Sequence, residues 1–127
     1  MTGRGVRWLA GVQGIYFAIT GIWPLIDIES FMAVTGPKTD LWLVRTVGVL
    51  IAVVGAGLLL AARRGQISGE MVLIAVGSAL GLAGIDIVYA TGDVISDIYL
   101  LDAVLELLIV AAWAGLWVRL KKQGSDL

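Results

Sequence analysis

The 127-residue sequence contains no cysteine and no histidine, and only 2 prolines. Without cysteine there is no disulfide, no thiolate metal site and no thiol nucleophile. Without histidine the commonest metal ligand and the usual general base near neutral pH are missing as well. Charge is scarce: Asp, Glu, Lys and Arg make up 15% of the residues, where a soluble domain carries roughly 25%. The 17 glycines do not build a phosphate loop, because no strand precedes them and no Gly-Lys-Ser/Thr follows.

What the sequence has in abundance is apolar surface. Hydrophobic residues account for 59% of it, and its mean hydropathy is +0.95. Both values point to an integral membrane protein. Apolar runs long enough to cross a bilayer, about 20 residues each, fall at Val6–Ile26, Leu41–Ala62, Met71–Thr91 and Ile98–Leu120. The first run is too long for a cleavable signal peptide, and no small-residue cleavage site follows it. The expected fold is all-α: one domain over residues 1–127, an integral membrane four-helix bundle. In such a bundle glycines serve as contact points between helices. Gly77, Gly81 and Gly84 on the third span, the first two in GxxxG spacing, are the expected close-packing residues.

Lys and Arg set the orientation. Seven of the nine, Arg4, Arg7, Arg63, Arg64, Arg119, Lys121 and Lys122, flank one side of the four spans, leaving Lys38 and Arg45 toward the other. By the positive-inside rule both termini are cytoplasmic, which suits a multi-pass protein of a bacterial cytoplasmic (inner) membrane. The opposite connections are acidic, with Asp27, Glu29 and Asp40 in one and Asp93 and Asp97 in the other. A bias of this kind favours a parallel homodimer over a dual-topology one. The connection IDIESFMAVTGPKTD reads as a short interfacial helix: Ile28, Phe31, Met32 and Val34 form its apolar face, Gly36 and Pro37 stop it, and Thr39 or Asp40 caps the next span.

Against this background one residue stands out. Arg45 lies inside the second apolar run, about 6–8 Å below its outer end at a rise of about 1.5 Å per residue. The same arithmetic brings Asp86 of the third span and Asp102 of the fourth to a similar depth, with Glu106 one turn deeper on the Asp102 face. These three acids are the expected partners of Arg45. Gly48, Ala52 and Gly55 continue the Arg45 face and are expected to leave room beneath it. One guanidinium against three carboxyls leaves an excess of acid inside a low-dielectric bundle, to be balanced by protons or by a bound cation. Charged residues in a span cost about 2.5–3.5 kcal/mol to insert and mark functional sites by default. A structural ion pair between helices is the plainer explanation.

Other polar residues align with this centre. Gln13, Tyr16, Thr20 and Trp23 recur at helical spacing on the first span, Tyr89 follows Asp86 by three, and Tyr99 precedes Asp102 by three. These six are candidate ligand-binding residues. Asp86, Asp102, Glu106 and Arg45 are candidate catalytic residues, without a metal or other cofactor. Trp8, Trp23, Trp42, Trp113 and Trp117 read as interfacial belt or packing residues, and Arg119, Lys121 and Lys122 as anchors to anionic lipid, with no call for a nucleic-acid partner. A short echo, TGIWPLIDI after Tyr16 and TGDVISDI after Tyr89, is the sole hint of a repeated hairpin.

Four short spans with YFAITGIWPL in the first, RTVGVLIAVVGAGLLLA in the second and DAVLELL in the fourth resemble the small bacterial four-helix membrane proteins grouped around DoxX. The resemblance covers the whole chain through layout and glycine pattern, and carries no catalytic motif. It implies a four-helix membrane bundle and an association with redox or quinone-linked membrane complexes, for which a chain without Cys or His offers no ligands. Sterol isomerases and sterol receptors are similar in placing buried acids in a small helical bundle, but the histidine such an isomerase requires is absent.

Three functions are compatible with these features. The favoured one is a bundle that binds an apolar small molecule or isoprenoid-like lipid by its polar end and, if it is catalytic, does metal-free acid-base chemistry with the carboxyls and Arg45. The second is a proton-coupled or cation transporter acting as a parallel homodimer. The third is an accessory subunit of a membrane complex.

Overall fold

The computed structural model describes residues 1–122. They form five helices: α1 (Arg4–Ile26), α2 (Ile28–Thr35), α3 (Leu41–Arg64), α4 (Gly69–Thr91) and α5 (Ile98–Lys122). All but α2 are long and apolar enough to cross a membrane. The expected spans are recovered within two residues at each end, with α1 and α4 starting earlier and α3 and α5 running on through their basic ends.

Local chemistry accounts for the boundaries. Asp27 accepts a hydrogen bond from the Ser30 backbone N–H at 3.2 Å and so caps α2. Gly36 ends that helix at φ 100°, a conformation that penalises any side chain. At the far end of α3, Gly65 adopts φ 78° and its N–H returns to the Ala61 carbonyl at 3.1 Å. Arg63 and Arg64 in the last turn complement the helix dipole there. Ser68 caps α4 through Met71 N–H at 3.2 Å, with Glu70 in the first turn. The expected cap of α3 differs: Asp40 occupies the position, but its side chain makes no capping hydrogen bond.

The tightest contact is between antiparallel α1 and α3. A Cβ placed on Gly21 would lie 2.5 Å from the Gly48 carbonyl oxygen, and one on Gly55 would lie 2.6 Å from Ala18 N and 2.7 Å from Gly14 O. The two backbones therefore touch, as small residues permit between apolar helices. Gly48 and Gly55 consequently abut α1 and leave no room beneath Arg45, contrary to the sequence expectation. The second close pair is α4 with α5, and the two pairs meet through the thinner α1–α5 and α3–α4 contacts. Here α4 contributes an alanine stripe, Ala75, Ala79, Ala83 and Ala90, with Asp86 in the same buried line.

The glycines of α4 are a second correction. Gly77, Gly81 and Gly84 are exposed, and a Cβ added to any of them would meet nothing within 4 Å. Methyl groups in the alanine stripe already give close approach to α5, so helical periodicity turns the glycine face outward. At the basic end, Val6, Ala10, Leu58, Ala61, Ile67, Ala75 and Trp113 form an apolar layer. Ile67, in the α3–α4 connection, is held into it by its N–H bond to the Met1 carbonyl at 2.8 Å. Trp113 belongs to this layer at 2% exposure, whereas Trp8, at 69%, and Trp42, at 68%, face outward.

The two kinds of glycine are separable by mutation. Gly55→Val should destabilise the detergent-solubilised protein by about 1–3 kcal/mol through backbone overpacking, while Gly81→Val, with open space around it, should stay within about 0.5 kcal/mol of the parent. Thermal unfolding of the two variants side by side checks the assignment, and equal losses would contradict it.

Candidate functional site

The site grows out of the face of α1 opposite α3. Gln13 is fully buried there and clamps three helices. Its Nε2 donates to the Ala75 carbonyl of α4 at 2.9 Å, and its Oε1 accepts from Trp113 Nε1 of α5 at 2.8 Å. Both ends of the amide are thereby engaged, so Gln13 reads as a structural tie between α1, α4 and α5. One turn on, the Tyr16 hydroxyl donates to Asp102 Oδ1 of α5. Asp86, in the buried line of α4, and Glu106, one turn nearer the Gln13 layer than Asp102 on α5, are the remaining acids.

Burial of these acids is nearly complete, with Asp86 5% and Glu106 1% exposed. Asp86 Oδ2 and Glu106 Oε1 have no hydrogen-bond partner at all. An orphaned buried oxygen is uncommon because forfeited hydration is costly, and this bundle holds two of them. Among the described residues, no group of three or more acidic side chains is disposed to hold a metal ion.

Arg45 is not brought to this centre. It is exposed on α3, and the oxygens expected to meet it are the unpartnered ones. The physical reason is the glycine contact: α3 gives its small-residue face to α1, while the acids occupy the α1–α4–α5 side of the bundle. An arginine one turn below a helix end satisfies itself by extending its long side chain to the polar boundary.

No family model, curated protein or solved structure matches the chain. Its own side chains carry the functional reading, and five of the six candidate ligand residues lie outside the centre: Gln13, in its tie to α4 and α5, and four more. Thr20 turns back on its own helix, its Oγ1 donating to the Tyr16 carbonyl at 2.8 Å. Trp23 Nε1 donates to Ser30 Oγ at 2.8 Å and its ring meets Phe31 edge-on, which pins α2 to α1. Tyr89 is exposed on α4. Tyr99 lies under Lys38, whose Nζ sits 5.0 Å from the ring centroid and also caps α2 through the Gly36 carbonyl at 3.0 Å. Trp23, Lys38 and Tyr99 thus fasten α2 over one end of the bundle. The centre itself reduces to Tyr16, Asp86, Asp102 and Glu106.

Trp113 as partner of Gln13 and Lys38 as the fastener of α2 were not foreseen. Trp113 had a usable signal, since it follows Glu106 by seven residues and so shares its helix face. Lys38 had none, because its contact depends on how the connection folds back.

Two measurements follow. A double-mutant cycle of Gln13→Leu and Trp113→Phe in thermal or denaturant unfolding should give a coupling of about 0.6–1.7 kcal/mol, the range for interhelical hydrogen bonds in bilayers; zero coupling would mean that the bond is absent. Arg45→Gln should change stability by less than about 0.5 kcal/mol, whereas an arginine paired with a buried carboxyl would lose several times that.

Proposed function

We propose that this is a multi-pass membrane protein that binds a proton, or the N–H-bearing end of a small organic cation, at Asp86, Asp102 and Glu106 and carries it across the bilayer. The observation behind this reading is the pair of buried carboxyl oxygens, Asp86 Oδ2 and Glu106 Oε1, with no partner. Oxygens of this kind attract positive charge and acidic hydrogens and repel anions. Tyr16 occupies one oxygen of Asp102 and orients it, so Asp86 and Glu106 are the groups that exchange the cargo. A proton held between Asp86 and Asp102 makes a hydrogen bond where two carboxylates would repel. The ammonium end of an otherwise apolar small molecule satisfies the same oxygens.

Acid-base chemistry on a lipid is less well supported. It assigned Arg45 to hold the developing negative charge, and Arg45 is exposed on α3 while Asp86 and Glu106 are buried. Transport by so few helices is best served by a parallel homodimer. The basic residues gathered at one end of the bundle favour cytoplasmic termini, and the layout shared with the DoxX-like group favours a bacterial inner membrane.

Proteoliposomes loaded with a pH-sensitive dye test the reading. Under an imposed potential, wild-type vesicles should show proton flux, or proton-coupled uptake of phenylguanidinium, above protein-free vesicles. Asp86→Asn and Glu106→Gln should each return the rate to background while Arg45→Gln leaves it unchanged. Wild-type vesicles indistinguishable from empty ones for both probes would overturn transport.

A further inference from the structure

The opposite end of α1 carries a feature of different chemistry. A groove of about 690 Å³ runs between the start of α1 and the end of α3, lined by Arg4, Arg7, Trp8, Val12, Ile15 and Arg63 among others. Three guanidiniums border it, and no acidic residue appears in its lining. Arg7 is held in place by its Nε, which donates to the Ala62 carbonyl at 3.0 Å. This bond also ties the side chain to the last turn of α3, beside Gly65. A Cβ on Gly65 would come within 3.6–3.7 Å of the Arg7 side chain, so Arg7, although exposed, is packed against the helix end.

Below the arginines the surface becomes apolar in a continuous line. Trp8, Val12, Ile15 and Ile19 recur at steps of four, three and four along α1, and are 69%, 50%, 52% and 62% exposed. A helix face of this kind lies against hydrocarbon in a protein with four potential spans. The order along α1 is therefore arginine cluster, tryptophan, aliphatic track. It reproduces the order of a membrane lipid read inward: charged phosphate, glycerol backbone, acyl chain. Arg binds phosphate through planar, multidentate hydrogen bonding, and basic pockets between transmembrane helices are recognised lipid-headgroup sites. A free phosphate ion would use the guanidiniums and leave the apolar track without a role.

We infer that the α1–α3 groove is a binding site for an anionic phospholipid, with the phosphate held by Arg4, Arg7 and Arg63 and one acyl chain lying along Val12, Ile15 and Ile19. The site is independent of the acidic centre, from which Arg7 and Tyr16 on the same helix are separated by about 14 Å of rise.

Native mass spectrometry of the delipidated protein in detergent, titrated separately with dioleoyl phosphatidylglycerol, dioleoyl phosphatidylcholine and inorganic phosphate, tests it. Wild type should retain phosphatidylglycerol in preference to phosphatidylcholine and should not retain phosphate. The pair Arg4→Gln/Arg63→Gln, which spares the Arg7–Ala62 bond, should weaken phosphatidylglycerol binding by about tenfold or more, and Arg64→Gln, outside the groove, should not. Ile15→Ser should also weaken the lipid while leaving the arginines intact. Equal retention of both lipids, unchanged binding in the Arg4/Arg63 pair, or retention of phosphate as strongly as lipid would each overturn the inference. Because none of these variants touches Asp86 or Glu106, their result is read independently of proton or cation flux.

Discussion

Backbone contact between α1 and α3 is the constraint on which the remainder of the bundle depends. Gly14 and Gly21 on one helix and Gly48 and Gly55 on the other bring the two chains together so closely that no Cβ fits between them. A contact of this kind consumes one face of each helix and supplies dispersion energy without using a polar group. It leaves α1 free to turn its opposite face, with Gln13 and Tyr16, toward α4 and α5. It also commits the small-residue face of α3 to α1. The position of every polar group follows from this division.

Charge is then distributed in an unbalanced way. The acids gather on the α1–α4–α5 side, where the alanine stripe of α4 brings that helix close to α5 and carries Asp86 into the seam. The basic residues fall at the helix ends or, in Arg45, on an outer face. A bundle built for stability alone would gain from apolar residues at Asp86 and Glu106, since even a paired buried charge seldom adds net stability. Unpaired, these acids are a cost that the Gln13 tie and the glycine contact must offset. Retention of such a cost at adjacent positions on two helices is the physical reason for assigning them a cargo.

Much of this was legible in the residues themselves. The four long apolar runs, the short helix over Ile28–Thr35 and its stop at Gly36 follow from hydropathy, capping and glycine chemistry, all of which act locally. Depth was also legible: rise per residue alone brought Asp86 and Asp102 to one level. Facing was not. Depth arithmetic ranks residues along the bilayer normal and says nothing about rotation of each helix, so by depth alone Arg45 reads as a partner of the acids. The glycines of α4 failed for a related reason. Gly77, Gly81 and Gly84 and the stripe Ala75, Ala79 and Ala83 are both rows of small residues on one helix, and only packing against α5 decides which row is inside. The sharper clue was Asp86 itself, which shares its helix face with Ala75, Ala79 and Ala83 and not with the glycines.

The two polar regions of α1 gain significance from their separation. Gln13, Phe17 and the apolar layer around Trp113 and Leu58 lie between the arginine groove and the acidic centre, and Phe17, Leu58 and Trp113 are each no more than 2% exposed. Low dielectric between them preserves the difference in potential that solvent would screen. In the proposed arrangement the arginines hold one end of α1 among anionic headgroups, while the unpartnered acids of α4 and α5 draw positive charge toward the other. In that arrangement the bundle as a whole, with basic residues at one end of α1 and acids on α4 and α5 nearer the other, would resist movement of anions into the core and favour entry of cations. Anchoring the basic end to lipid also fixes the register of α1 in the bilayer, and with it the depth at which Tyr16 presents Asp102 to Asp86. The lipid groove and the acidic centre then have one mechanical link: a shift of α1 along its axis would slide its backbone over the glycine contact with α3 and break the Gln13 tie to α4 and α5 together.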